Sequence, residues 1–193
     1  TLFPGQGSQY IGMGKEAFNR SAAARALFEE ADELFGFKLS DLAFSGPEEK
    51  LTDTMYQQPA LFVTSLANWQ VMTSDGWPDA DYFAGHSLGE FSALVAAGSI
   101  SFSDGLRLVR RRGELMKEAD QRAPGAMAAL LALSAVQVEE LCMRAEAETG
   151  QLVRLANDNC PGQIVISGHE DALTRAEELA HDAGARRVVR LPI

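Results

Sequence analysis

Polar and apolar positions alternate along the chain in two regimes. In the first part, apolar residues recur at helical spacing between glycine-bearing loops. Thr1-Leu2-Phe3-Pro4 reads as the end of an apolar strand, and a Gly/Gln/Ser loop follows it. Ala24, Leu27, Phe28, Ala31 and Leu34 then recur at three- and four-residue steps, which predicts a helix capped by Ser21 and ended by Gly36. Pro59 suits the first turn of a long helix that Gly76-Trp77-Pro78 breaks. Asp81 to His86 reads as a short buried strand, and Leu88 to Ala97 as a helix capped by Gly98. Ser101 and Asp104 form a capping pair for a helix running to about Ala119.

After Arg122-Ala123-Pro124-Gly125 the pattern changes. The order becomes strand (126–133), helix (136–148), strand (152–156), strand (163–167), helix (171–183), strand (187–191), with Asn159-Cys160-Pro161-Gly162 as a hairpin turn. That βαββαβ order predicts a ferredoxin-like subdomain. The expected fold is α/β: residues 1–123 form part of a larger α/β subdomain, and residues 124–193 the smaller one. The first residues, without methionine, and the last, Leu191-Pro192-Ile193, look like cuts through strands, so a fragment is expected.

Composition narrows the function. The 193 residues suit one domain or two small ones. A net charge of −10 disfavours broad binding to nucleic acid or anionic membrane. No apolar run approaches the roughly 20 residues that span a bilayer. Cys142 and Cys160 are too few for a disulfide framework or structural zinc, so a cytoplasmic protein without metal or cofactor is expected.

Two stretches carry candidate chemistry. Gly85-His86-Ser87-Leu88-Gly89 fits G-x-S-x-G between a strand and a helix. Small residues two positions either side of Ser87 allow a sharp turn that exposes its hydroxyl at a helix N-terminus, where the helix dipole and free N–H groups favour an oxyanion. The N–H of Leu88 is the natural first donor. Pro4-Gly5-Gln6-Gly7-Ser8-Gln9 can supply a second through Gln6, or can be merely a flexible loop; it lacks the Lys-Ser/Thr of a phosphate-binding loop.

The other stretch is Arg107-Leu108-Val109-Arg110-Arg111-Arg112-Gly113. At about 100° per residue, Phe102, Val109, Gly113 and Met116 share one side, and Leu108 and Leu115 extend it. Arg112 falls inside that apolar arc, while Arg110 and Arg111 fall outside. A guanidinium facing a core needs a partner. An internal carboxylate would satisfy it, and so would a substrate carboxylate. A serine nucleophile beside such an arginine suggests transfer of an acyl group bearing its own carboxylate.

At this point a family resemblance is strong. "FPGQGSQYIGMG", "GHSLGEFSALVAAG", "RLVRRRGELM", "GAMAAL" and "NDNCPGQIVISG" resemble, in order and over essentially the whole chain, the malonyl-CoA:acyl-carrier-protein transacylases and the acyltransferase domains of polyketide synthases. The resemblance implies an α/β-hydrolase-like large subdomain with a ferredoxin-like insertion. It implies ping-pong transfer of malonyl from CoA, through an ester on Ser87, to the phosphopantetheine thiol of acyl carrier protein. It assigns the oxyanion donors to Gln6 and Leu88 and the malonyl carboxylate to Arg112. Asn157 and Asn159 fall where the family's Asn-rich segment borders the cleft.

The general base is harder to find. His86 adjoins Ser87 and points elsewhere around a sharp turn, His169 precedes a helix, and His181 lies late in one. The family's histidine comes a few residues after the equivalent of Leu191-Pro192-Ile193. The expected partners are malonyl-CoA and acyl carrier protein, both anionic, meeting a monomer at Arg107/Arg110/Arg111/Lys117 or at Arg186/Arg187/Arg190. A serine hydrolase of esterase or patatin type and an inactive carrier-docking fragment are the rival readings. A burst assay with malonyl-CoA against a neutral ester separates transferase from esterase. The 193-residue polypeptide alone is expected to transfer malonyl at close to background rate, and robust turnover would refute that expectation.

Overall fold

A computed structural model describes residues 1–78 and 80–191. The chain divides into two compact units, Thr1–Glu118 and Ala119–Ile193. The division falls inside a helix, a few residues before the Ala-Pro-Gly stretch at which the sequence pattern changes.

The first unit contains β1 (Leu2–Phe3), α1 (Lys15–Arg20), α2 (Ala22–Phe35), α3 (Leu39–Ser45), α4 (Glu48–Thr52), α5 (Thr54–Ser74), β2 (Ala84–Gly85), α6 (Gly89–Ala96) and most of α7 (Phe102–Arg122). α2 starts and stops as its pattern predicts: Ser21 Oγ accepts the Ala24 N–H, and Gly36 closes the helix at φ 70°. Ser101 Oγ likewise accepts the Asp104 N–H at the start of α7. α1, α3 and α4 have no counterpart in the sequence reading, because 6, 7 and 5 residues are too short to show a period.

α5 runs through the middle of the core. It is apolar nearly all round, with almost every residue from Gln57 to Ala67 buried against Phe28, Leu39, Leu51 and Leu106. The helix starts well before Pro59, contrary to the reading that made this proline its first turn. The Asp53 carboxylate accepts the Met55 N–H at 3.0 Å and caps it at Thr54. That cap and the burial of the segment outweigh the one helical bond Pro59 cannot donate.

Two further expectations are corrected in this unit. β1 and β2 pair in parallel, Leu2 opposite Ala84 and Phe3 opposite Gly85, but the strand read as buried is open to solvent: Tyr82 is 85% exposed and Leu2 83%. An apolar run states what can be covered, and says nothing of what covers it. On α7 the buried residues are Gly105, Leu106, Val109 and Gly113, whereas Leu108 and Leu115 face outward. Close approach chooses that face. A Cβ on Gly105 would lie 2.8 Å from the Phe62 ring, and one on Gly113 3.0 Å from the Thr54 carbonyl oxygen. The glycines, rather than the leucines, decide which side packs.

The second unit is β3 (Ala126–Leu131), α8 (Ala135–Thr149), β4 (Val153–Cys160), β5 (Gln163–Gly168), α9 (Glu170–Asp182) and β6 (Arg187–Leu191). Its sheet has the order β4-β5-β3-β6 with every pairing antiparallel. Ala128, Leu130, Ile164 and Ile166 form one apolar face under α8 and α9, against Val138, Leu141, Leu173 and Ala176. Ser134 and Gln137 form a full capping box on α8. β4 is longer than predicted: register shifts after Leu155 and Asp158 let pairing continue to Cys160, so the turn is only Pro161-Gly162. Burial pushes the Cys142 thiol up to about 11, which makes it a packing group and not a nucleophile. Among the described residues, no helix is long and apolar enough to cross a membrane.

One contact ties α5 to α7. The Lys117 ammonium lies 2.5 Å from the Asp53 carboxylate that caps α5. Burial raises the Asp53 carboxyl, but the bonds from Lys117 and the Met55 N–H outweigh it and hold the group below its ordinary value. A depressed carboxyl contributes stability above its unfolded value, and that contribution is lost as pH falls through the folded one. Asp53→Asn keeps the cap and removes the charge, so its melting temperature should lie below wild type at pH 7 and converge with it below about pH 4. Asp53→Ala should lose about 1 kcal/mol more, as read by urea denaturation.

Candidate active site

The turn between β2 and α6 is shaped by crowding. A Cβ on Gly85 would lie 1.9 Å from the Gly89 carbonyl carbon, and one on Gly89 would lie 2.4 Å from the Phe3 carbonyl oxygen. No residue larger than glycine fits either place. Between them Ser87 adopts φ 51°, a left-handed conformation that side-chain-bearing residues rarely take. The bonds from Gly89 N–H to His86 O (2.9 Å) and from Glu90 N–H to Ser87 O (3.2 Å) lock the turn. Leu88 is buried, so the residue after Ser87 anchors the turn in the core. The hydroxyl therefore stands at the N-terminal end of α6, as G-x-S-x-G predicts.

The loop after β1 lies against this turn. The His86 N–H donates to Phe3 O at 3.2 Å, and a Cβ on Gly5 would be 2.7 Å from the His86 carbonyl oxygen. Gln6 is therefore one residue from a backbone crossing beside Ser87. Among the described residues, the backbone N–H groups of Gln6 and Leu88 make no hydrogen bond. The Gln6 side chain is held: its Nε2 donates to Gln57 Oε1 at 2.8 Å and to Thr54 Oγ1 at 3.0 Å.

Arg112 reaches the same place from α7. Its Nη2 donates to Ser87 Oγ at 2.7 Å, and its Nη1 to Gln58 Oε1. Gln58 is fully buried, and its Nε2 donates to Thr54 Oγ1 at 2.8 Å and to Met116 Sδ at 3.2 Å. Among the described residues Arg112 makes no ion pair, so the internal carboxylate that would have explained it structurally is not there. Burial without an anion lowers its proton affinity. Its neighbours differ. Arg107 pairs with Asp104, Arg110 with Glu114, Arg111 with Glu114 and Glu118, and Lys117 with Asp53. The first basic cluster read from the sequence is thus largely neutralised by its own neighbours. In the second cluster, Arg190 is held by Glu170 and Glu177, while Arg186 and Arg187 are exposed.

Thr54, Gln57 and Gln58 escaped the sequence reading. The available signal was a pair of amides at the head of an apolar helix, where buried side-chain amides need specific partners. The remaining predicted residues lie in the second unit. Asn157 and Asn159 are on β4, partly buried and exposed respectively, in strand and not in turn. His169 is the exposed N-cap of α9, and His181 is exposed in its last turn. Among the described residues, no three His, Cys, Asp or Glu side chains group so as to hold a metal ion.

The chain resembles known proteins along its length. The model of the acyl transferase domain matches residues 2–191. The malonyl CoA-acyl carrier protein transacylase of Bacillus subtilis strain 168 is 51% identical over 192 residues, covering 100% of this chain and 60% of that protein. The crystal structure of an acyl carrier protein S-malonyltransferase from Vibrio cholerae superposes with a TM-score of 0.91 at 42% identity, over 100% of this chain and 62% of that one. A malonyl-transacylase in complex with a type II PKS acyl-carrier protein gives a TM-score of 0.90 at 40% identity, again over 100% and 62%. The chain thus spans about 60% of the length of the curated relatives it matches.

The strain at Ser87 is measurable. Ser87→Gly and Ser87→Ala both remove the hydroxyl and its bond to Arg112, but only glycine relaxes at φ 51°. Ser87→Gly should be more stable than Ser87→Ala by about 1 kcal/mol in chemical denaturation. Equal stabilities would contradict the strained turn. Gly89→Ala should cost at least about 2 kcal/mol, because the obstructing atom is backbone oxygen.

Proposed function

The chain belongs to the acyl transferase domain family, and from that premise we propose that the protein carrying it moves a malonyl group from CoA to the phosphopantetheine thiol of acyl carrier protein. Ser87 is the nucleophile on a strained elbow. Its Oγ attacks the thioester carbonyl, the C–S bond breaks and the serine proton leaves with CoA as its thiol; the carrier thiol then attacks the serine ester, the C–Oγ bond breaks and the thiol's proton returns to Ser87 Oγ. The backbone N–H groups of Gln6 and Leu88 receive the oxyanion of each tetrahedral intermediate. The resemblance to transacylases in fatty-acid and polyketide synthesis supports this reading, as does the likeness to a transacylase solved with its carrier protein.

One observation carries the substrate class: the Arg112 guanidinium, without an ion pair among the described residues, is 2.7 Å from Ser87 Oγ. A malonyl ester on Ser87 has its carboxylate one methylene from the ester carbonyl, short enough to fold back to that guanidinium. A bidentate pair there replaces the hydroxyl contact and gives a desolvated cation its anion. Acetyl has nothing to offer it, and a neutral ester likewise. Arg112 itself cannot take the serine proton, since a guanidinium stays protonated and only donates. Neither chemical step calls for a metal or a resident cofactor.

The same reading assigns the antiparallel second unit to the ferredoxin-like class and the first to an α/β-hydrolase-like subdomain. The strand order β4-β5-β3-β6 and the strand–serine–helix turn support these assignments. By analogy with the family, it assigns Asn157 and Asn159 a substrate-lining role. Reaction with malonyl-CoA in the cytoplasm, by a monomer and without nucleic acid or membrane, completes the proposal.

Arg112→Ala, in the natural polypeptide that carries this sequence, should lower kcat/KM for malonyl transfer to carrier protein about 100-fold, the cost of an unpaired substrate charge. Acetyl transfer should change no more than a few-fold. Equal losses on both acyl groups would sink the assignment.

A further inference from the structure

We propose that Thr54 is a positioning residue that sets the malonyl-binding geometry of Arg112, by anchoring through its hydroxyl the buried Gln58 amide that receives the guanidinium. The proposal rests on the malonyl reading above.

Gln58 is fully buried and has an amide that could stand either way round in the same space. One way presents oxygen to Arg112, and the other presents a second donor to a group that only donates. The guanidinium makes that choice, and the NH2 on the far side of the amide must then be held. Thr54 Oγ1 lies 2.8 Å from Gln58 Nε2 and 3.0 Å from Gln6 Nε2. Two donated protons occupy both acceptor positions of the hydroxyl. It is the strong acceptor that holds Gln58 Nε2 while the amide oxygen receives Arg112 Nη1. The other neighbour of Gln58 Nε2, Met116 Sδ at 3.2 Å, is a weak acceptor and cannot hold the amide alone. Nη1 held in this way leaves Nη2 directed at Ser87 Oγ.

The hydroxyl has a second consequence. The Gln6 amide gives one proton to Thr54 and one to Gln57 Oε1. One oxygen at the start of α5 therefore anchors both the loop offered as oxyanion donor and the amide that aims the arginine. Its own position is fixed by the Asp53 cap and by the close passage of α7 at Gly113. None of these groups titrates near neutrality, so the arrangement is held by hydrogen-bond polarity alone. Loss of the hydroxyl leaves the buried Gln58 Nε2 with only the Met116 thioether, and the amide that receives Arg112 loses its anchor.

The test uses the natural polypeptide with Thr54→Val, which keeps the shape, and Thr54→Ser, which keeps the hydroxyl. Thr54→Val should lower malonyl kcat/KM about 10- to 100-fold, the scale of a misplacement near 1 Å, and Thr54→Ser should recover most of it. In an Arg112→Ala background the same Thr54→Val change should cost only a few-fold, because only the Gln6 arm remains. A helix-start defect would instead cost the same in both backgrounds, and serine would not rescue it selectively. Unchanged malonyl kcat/KM in Thr54→Val, equal costs in the two backgrounds, or a crystal structure of Thr54→Val with both Arg112 bonds intact would each overturn the proposal. If Arg112→Ala alone fails to discriminate malonyl from acetyl, the substrate reading fails. The crystal structure of Thr54→Val still decides in that case whether Gln58 and Arg112 have moved.

Discussion

Backbone crosses backbone at Gly85, Gly89 and Gly5 with no space for a side chain, and the arrangement of the first unit's site follows from that crossing. The chain leaving β2 can enter α6 only by a turn tight enough to put Ser87 at φ 51°. The strain lifts the hydroxyl clear of the turn and sets it at a helix N-terminus. The crossing also presses the β1 loop against His86, which brings Gln6 to the same spot. A local steric condition thus assembles a candidate nucleophile and two candidate oxyanion donors from two distant stretches of chain.

The second ingredient is electrostatic and comes from a different element. α7 presents a run of arginines, and nearly all of them find carboxylates beside them. Among the described residues Arg112 does not: it meets neutral amides and hydroxyls, where Gln58 and Ser87 supply acceptors without charge. Neutral acceptors orient a guanidinium without cancelling it, so the cation keeps its demand for an anion. A structural ion pair would have removed that demand. Glycine again makes the approach possible, since Gly113 lets α7 pass close to the start of α5, where Thr54 stands.

Much of this was legible before any coordinates. The βαββαβ part follows its pattern almost element by element, because β3 and β5 are short apolar runs bounded by turn residues and α8 carries its own capping box. The helix from Ser21 to Gly36 and the Ser101–Asp104 cap were equally local. The turn around Ser87 was legible because its requirement, small residues at fixed offsets, is itself local. The reading failed where a feature depended on what another element did. Pro59 reads as a helix start in the sequence, because the competing Asp53 cap gains its strength from the burial that follows it. Leu108 and Leu115 were placed inside, because hydrophobicity was weighed and the close approaches at Gly105 and Gly113 were not. The strand before Ser87 was taken as buried from its composition alone.

The sequence by itself determined which residues could do chemistry: a serine between spaced glycines, an arginine out of keeping with its helix face, a glycine-rich loop after the first strand. Those are statements about residue type and spacing, and short-range sterics enforce them. Only the tertiary structure decided which of these groups meet, and through what. Ser87, Arg112, Gln58 and Thr54 are joined across up to 58 positions of sequence by bonds whose polarity must agree all the way along. Hydrogen-bond polarity between distant side chains leaves no periodic trace in a chain, so the amide that aims the arginine became visible only once the helices were in place.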